Sequence, residues 1–169
     1  IAVVGASRTV GSVDNAIIST LILGGFTRVV YPVNPKTKSI LGNRCVKSVE
    51  AIDDHVDLGV IVIPAPQIQA TVETFANKGT KHFVVISAGF KEIGGEGIKR
   101  ENDLRALCQE RGLTIVGPNC LGIINTDPAV GMNATFGRGM PAPGPFGLIS
   151  QSGALCTALL DYAKGVGIG

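Results

Sequence analysis

The sequence has no tryptophan and no excess of charge: 15 Lys and Arg stand against 13 Asp and Glu, for a net charge of +2. So small a balance argues against nucleic acid as a partner, which calls for a basic patch or stripe. No apolar run approaches the roughly 20 residues that cross a membrane, and the apolar core of a signal peptide is missing as well. The four cysteines, Cys45, Cys108, Cys120 and Cys156, form no Cys-x-x-Cys pair. That spacing argues against a zinc site and predicts packed, reduced thiols of a cytoplasmic protein. There are only two histidines. His55 lies in an acidic stretch with Asp53, Asp54 and Asp57, and His82 opens a predicted strand, so neither reads as catalytic. No H-E-x-x-H, G-x-S-x-G or P-loop motif is found, and no metal site is expected.

Charged residues are scarce too, at 17% against 45% apolar in 169 residues. Disorder is thereby excluded, and one domain, or one domain plus part of another, is expected. The chain opens on the apolar run at Ile1 and closes in Gly165-Val166-Gly167-Ile168-Gly169, which predicts a piece of a longer polypeptide.

The stretch that organises the rest is Ile1 to Gly11, I-A-V-V-G-A-S-R-T-V-G. It predicts a buried strand (Ile1–Val4), a tight loop and then a helix over Val13–Leu23, with Gly24-Gly25 as its stop. Such a unit presents backbone N–H groups and the positive end of a helix to an anion. Further strands are predicted over Arg28–Val33, Leu58–Ile63, His82–Ser87 and Leu113–Val116. Helices are predicted over Pro66–Asn77 and Glu96–Glu110, with a short one at Ser48–Ile52 and a loop over Lys36–Arg44. The strands are near-continuous apolar runs, as expected of parallel strands covered on both faces. The fold class is therefore α/β, a Rossmann-like doubly wound parallel sheet with ligand-facing loops at the strands' carboxyl ends.

Residues 1–125 form this expected domain, and 126–145, rich in Pro and Gly, read as a linker or an excursion of short strands. Phe146–Ser150 then reads as a new strand, Gln151-Ser152-Gly153 as its turn and Ala154–Lys164 as a helix. Residues 146–169 would thus begin a second, flavodoxin-like α/β domain.

The first loop fails the dinucleotide fingerprint. From Gly5, G-x-G-x-x-G requires glycine where Ser7 and Val10 stand, and the next glycine is Gly11. No acidic residue closes the second strand for a ribose. That end is Val33-Asn34-Pro35, followed by Lys36 and Lys38, which suit a phosphorylated ribose and leave NADP and coenzyme A as candidates. Arg8 adds a guanidinium able to fork onto a phosphate. Ile63-Pro64-Ala65-Pro66 is rigid and apolar, fit to pack on an adenine or pantetheine. Ile86-Ser87-Ala88 offers small residues that let a ligand approach the backbone. Gly117–Gly122 is a turn carrying Asn119 and Cys120, with the thiol read as packed rather than nucleophilic. Ser150, Ser152 and Gly153 read as a helix N-cap with free N–H groups, a second phosphate cradle.

Taken in order, G-A-S-x-x-x-G, V-N-P-K, I-P-A-P, G-P-N-C-L-G and G-L-I-S-Q-S-G-A-L resemble the coenzyme A-binding part of the nucleoside-diphosphate-forming acyl-CoA synthetases. The resemblance spans essentially the whole chain and is closer to the ADP-forming acetate-type branch than to the succinate enzymes. It implies a reversible reaction in which phosphate attacks an acyl-CoA thioester, and the phosphoryl group of the acyl phosphate passes to a histidine and on to ADP. It also implies that Gly5, Ser7, Arg8, Thr9, Val10 and Gly11 cradle the coenzyme A phosphates, with Pro35 and Lys36 or Lys38 at the end of strand two. Ile63, Pro64, Ala65, Pro66, Ile86, Ser87 and Ala88 would line the nucleotide and pantetheine path, and Asn119 would stand near the thiol. Ser150, Ser152 and Gly153 would hold the migrating phosphate. The phosphohistidine, the ATP-grasp domain or subunit and its ATP, ADP and Mg would lie outside these residues, and the full protein would be an oligomer.

Where the succinate enzymes carry an acidic residue after strand four, this chain has Ser87-Ala88-Gly89, which alters the expected contact there. A rival reading is a non-catalytic coenzyme A-sensing module, such as the regulatory domain of a protein acetyltransferase. An NADP-dependent reductase is disfavoured by the absent glycines.

Overall fold

Alternation along three apolar runs builds the centre of the molecule. The computed structural model describes residues 1–169, and in it Ala2–Val4 (β1), Leu58–Ile61 (β5) and His82–Val85 (β6) lie side by side. Tyr31–Val33 (β2) and Thr114–Val116 (β7) flank them, all parallel, in the order β2-β1-β5-β6-β7. Successive side chains of a strand point to opposite faces. Ala2, Val4, Ile61, Phe83 and Val85 accordingly join one core, and Val3, Val60 and Val84 the other. The first core is closed by Ile68–Asn77 (α2) and Gly95–Arg111 (α3), through Ile68, Val72, Phe75, Leu104 and Leu107. The second is closed by Val13–Leu23 (α1), through Ile17, Ile18 and Leu21. Gly59 makes room in β5: a Cβ there would meet the Phe83 ring at 2.9 Å. That ring packs edge-to-face on Phe75, with centroids 5.8 Å apart.

A doubly wound parallel sheet is thus present, and its helices fall close to the expected spans. Four local expectations are corrected. β2 is confined to Tyr31–Val33, because β1 offers it only three partners. The loop expected over Lys36–Arg44 contains an antiparallel hairpin, Ser39–Ile40 (β3) and Asn43–Arg44 (β4), anchored by the buried Ile40. The short helix at Ser48–Ile52 does not form. Val46 is drawn into a parallel bridge with Val33, and the chain then bends through Lys47–Val49 into a turn closed by Ile52 N–H on the Val49 carbonyl at 3.2 Å. Nor is Phe146–Ser150 a strand: it pairs with no other segment, and Ile149 is fully exposed.

Of the span 126–145 expected to be a linker or an excursion of short strands, Met132–Thr135 (β9) is a strand, and it pairs antiparallel with Gly122–Asn125 (β8), which lies before that span. It packs on α1, where Thr20 Oγ1 donates to the Thr135 carbonyl at 2.7 Å and Ala134 enters the second core. The last helix, Gly153–Val166 (α4), buries no residue. No helix is long and apolar enough to cross a membrane.

Candidate functional site

The carboxyl ends of β1, β2 and β5 open into a groove of about 670 Å³. Its floor depends on Gly5, whose φ of 92° lies in the region that favours glycine and whose Cβ, if present, would stand 2.1 Å from the Val62 carbonyl oxygen. Gly5 N–H donates to the Val33 carbonyl at 3.1 Å. Asn34 ties the neighbouring loops together. Its Nδ2 donates to the Ala6 carbonyl at 2.8 Å and its Oδ1 accepts from Lys36 N–H at 2.8 Å, an Asx turn that fixes the backbone at Lys36.

One wall comes from the segment after β4. Val46 N–H donates to the Pro32 carbonyl and its own carbonyl accepts from Asn34 N–H, both at 2.9 Å. These bonds bring Lys47, Ser48 and Glu50 to the groove. The pKa of the exposed Glu50 carboxyl is lowered, first by its own backbone N–H, then by the Ser48 hydroxyl and the Lys78 charge. The facing wall is Ile63, Pro66, Gln67 and the α2 positions Ala70, Thr71 and Thr74.

The β1–α1 loop is held by its own side chains. Ser7 Oγ accepts from Thr9 N–H at 3.0 Å, Asn15 Nδ2 donates to the Ser7 carbonyl at 2.9 Å, and Ser12 Oγ donates to the Thr9 carbonyl at 2.7 Å. Ser12 also caps α1 by accepting from Asn15 N–H at 3.4 Å. The N–H groups of Arg8, Val10 and Gly11 find no acceptor in the chain, and Val10 is 91% exposed. A rim of outward N–H groups at a helix start suits a phosphate. Burial raises the pKa of the Cys45 thiol, and the nearby Arg8 charge partly offsets that.

The structure brings Gly5, Pro35, Lys36, Ile63 and Pro66 together as groove lining, with Ser7, Arg8, Thr9, Val10 and Gly11 on the adjoining loop. Lys38 stands outside the lining, its carbonyl accepting from Cys45 N–H across the hairpin at 3.0 Å. Ala65 and Ile86, expected to line the ligand path, are buried in the two cores because they stand at the bases of their loops, and Pro64 is exposed beside them. The loop after β6 meets the loop after β7 where Asn119 N–H donates to the Ser87 carbonyl at 3.0 Å, leaving Ala88 exposed. Cys120 Sγ is 3.3 Å from the Val85 carbonyl, and burial raises the thiol's pKa, as expected of a packed thiol. Ser152 caps α4, accepting from Leu155 N–H at 3.3 Å. Ser150 Oγ accepts from Ser152 N–H at 3.0 Å, and Gly153 approaches Leu121. Both histidines lie away from the groove: His82 opens β6, and His55 faces Asp57 at 3.8 Å on the surface.

Lys47, Ser48, Glu50, Gln67, Thr71 and Thr74 were not anticipated. A signal for the last three exists: Gln67, at the N-cap of α2, and Thr71 and Thr74 within it recur at helical spacing, on a stripe about 100° round from the core residues Ile68, Val72 and Phe75.

The family model described as a CoA binding domain matches residues 1–126. The chain is 46% identical over its whole length to the ADP-forming acetate–CoA ligase I of Archaeoglobus fulgidus, of which it covers 24%. It is 43% identical over 96% of its length to the α subunit of the ADP-forming acetate–CoA ligase I of Pyrococcus furiosus, covering 36% of that chain. In structure it is similar to the dinucleotide-forming acetyl-coenzyme A synthetase 1 of Ca. Korarchaeum cryptofilum in complex with phosphate and ADP, with a TM-score of 0.90. The identity there is 34%, over 99% of this chain and 36% of that one. The chain spans about a quarter of the length of the first curated relatives it matches.

Proposed function

The chain belongs to the CoA-binding domain family, and on that premise we propose that it is the coenzyme A-binding part of an ADP-forming acid–CoA ligase of the acetate type. The observation that carries this reading is the groove at the carboxyl ends of β1, β2 and β5, with Lys36 in its lining and unpaired N–H groups on the loop beside it. A phosphorylated nucleotide with a long polar tail suits that combination. The N–H groups of Arg8, Val10 and Gly11 hold the diphosphate, and Lys36 meets a phosphate at the nucleotide end. The pantetheine leaves past Ile63 and Pro66 towards Ser87, Ala88 and Asn119. The thioester end then lies near the start of α4, where Ser150, Ser152 and Gly153 hold inorganic phosphate.

In the reaction, a phosphate oxygen attacks the acyl carbon and the carbon–sulfur bond breaks. The sulfur leaves as thiolate and takes up a proton, giving an acyl phosphate and coenzyme A. The chain's own part is to bind coenzyme A, orient the thioester and place the phosphate. Transfer of the phosphoryl group through a histidine to ADP belongs to other parts of the full protein, an ATP-grasp domain or subunit working with Mg, in an oligomer of the cytoplasm. The ligase names of whole-chain relatives favour this reading over a non-catalytic coenzyme A-sensing module.

Differential scanning fluorimetry tests it. Coenzyme A at a hundredfold excess over its Kd raises the melting temperature, a stabilisation of roughly 2–3 kcal/mol by mass action. NAD and NADP leave it unchanged. A shift with NADP and none with coenzyme A overturns the reading.

A further inference from the structure

The groove holds a cation that sequence motifs did not point to. Lys36 and Lys38 are the obvious pair for a phosphorylated ribose, but β3 begins at Ser39 and its hairpin carries Lys38 away from the groove. The second lysine in the lining is instead Lys47. Its backbone is held beside the groove by the residue before it. Val46 is clamped between Pro32 and Asn34 by two backbone hydrogen bonds of 2.9 Å, and Asn34 in turn fixes Lys36 through its 2.8 Å Asx turn. The two lysines therefore arrive at one groove from separate segments that share a single residue, Asn34, as their brace.

Two ammonium groups at one groove repel each other unless an anion lies between them. No carboxylate, Glu50 included, forms a salt bridge with Lys36 or Lys47. The lysine pair is therefore left for a ligand group. A phosphomonoester dianion matches two cations, whereas an adenine, a pantetheine or a ribose hydroxyl needs neither.

We propose that Lys47 is a specificity-determining residue that, together with Lys36, grips the 3′-phosphate of coenzyme A. The site thereby selects coenzyme A over 3′-dephospho-coenzyme A. This rests on the coenzyme A reading above.

Isothermal titration of the full polypeptide carrying these residues, with both ligands, tests it. Lys47→Ala weakens coenzyme A by about tenfold, the loss typical of one charge-assisted hydrogen bond. It leaves 3′-dephospho-coenzyme A within about twofold. Lys47→Arg, which keeps the charge, retains the preference, and Lys38→Ala changes neither ligand. Equal losses for the two ligands in Lys47→Ala overturn the assignment while leaving the coenzyme A reading intact. A wild-type protein that binds neither ligand overturns that reading, and the assignment with it.

Discussion

α1 and α4 begin in the same way and end differently. Each starts at an extended serine whose hydroxyl accepts from the N–H three residues on, Ser12 from Asn15 at 3.4 Å and Ser152 from Leu155 at 3.3 Å. Each follows an apolar run that reads as a strand. The run before α1 is paired on both sides and buried, and α1 sinks Ile17, Ile18 and Leu21 into the core. The run before α4 pairs with nothing, and Leu155, Leu159 and Tyr162 stay 51%, 39% and 68% exposed. A cap is a local property, set by a serine and the backbone beside it. Burial is set by neighbours, which α1 has along its inner face and α4 does not. Two helix starts with the same local chemistry thus differ in how much packed structure lies behind them.

The largest expected effect sharpens this difference directly. In the 169-residue chain, Leu21→Ala removes a fully buried side chain and costs about 3 kcal/mol of stability. Leu159→Ala, on the open face of α4, costs less than about 0.5 kcal/mol. Urea unfolding followed by circular dichroism reads both, and equal shifts in midpoint would erase the distinction between the two helices.

Next in size are the caps. Ser12→Ala loses about 1 kcal/mol. Because the same hydroxyl holds the Thr9 carbonyl, it also loosens the phosphate loop, so coenzyme A binds several-fold more weakly. Ser152→Ala removes an equivalent bond from a helix that supports no core. Its effect is local, seen as faster amide exchange at Leu155 and Cys156 with an unchanged global midpoint and unchanged coenzyme A affinity. If Ser152→Ala lowers the global midpoint as much as Ser12→Ala does, α4 is coupled to the core after all.

The same contrast explains what could be read from the sequence. Parallel strands were legible because residues such as Phe83, Val84 and Val85 are apolar whichever face they take. The place of Gly5 and Lys36 in the groove lining was legible because Gly5 directly follows β1 and Lys36 lies three residues past the end of β2. Lys47 and Glu50 were not, since they reach the groove only through the bridge between Val33 and Val46, a pairing across a hairpin that no local pattern announces. Phe146–Ser150 has the composition of a strand, yet a strand exists only against a partner. Ala65 and Ile86 have the small or apolar character of a ligand wall, and that same character suits them to the core in which they lie.

The smallest expected effect separates the two regions by pH. Glu92 ties down the loop after β6: its Oε1 accepts from Gly89 N–H and from Phe90 N–H, the latter at 3.1 Å, and these bonds to the ionised carboxylate lower its pKa below 4.5. A carboxyl with a depressed folded-state pKa contributes stability above its unfolded value and loses it as pH falls through the folded one. The side chain is exposed, so the contribution after solvent screening is only a few tenths of a kcal/mol. The start of α4 is held by serine hydroxyls, which do not titrate in this range. Between pH 5 and pH 3, amide protection at Gly89 and Phe90, corrected for intrinsic rates, therefore falls, while protection at Leu155 changes less. Glu92→Gln lacks the carboxylate, so its protection at Gly89 starts lower and stays flat over the same interval. A wild-type profile as flat as that of the glutamine variant would show that Glu92 does not brace this loop.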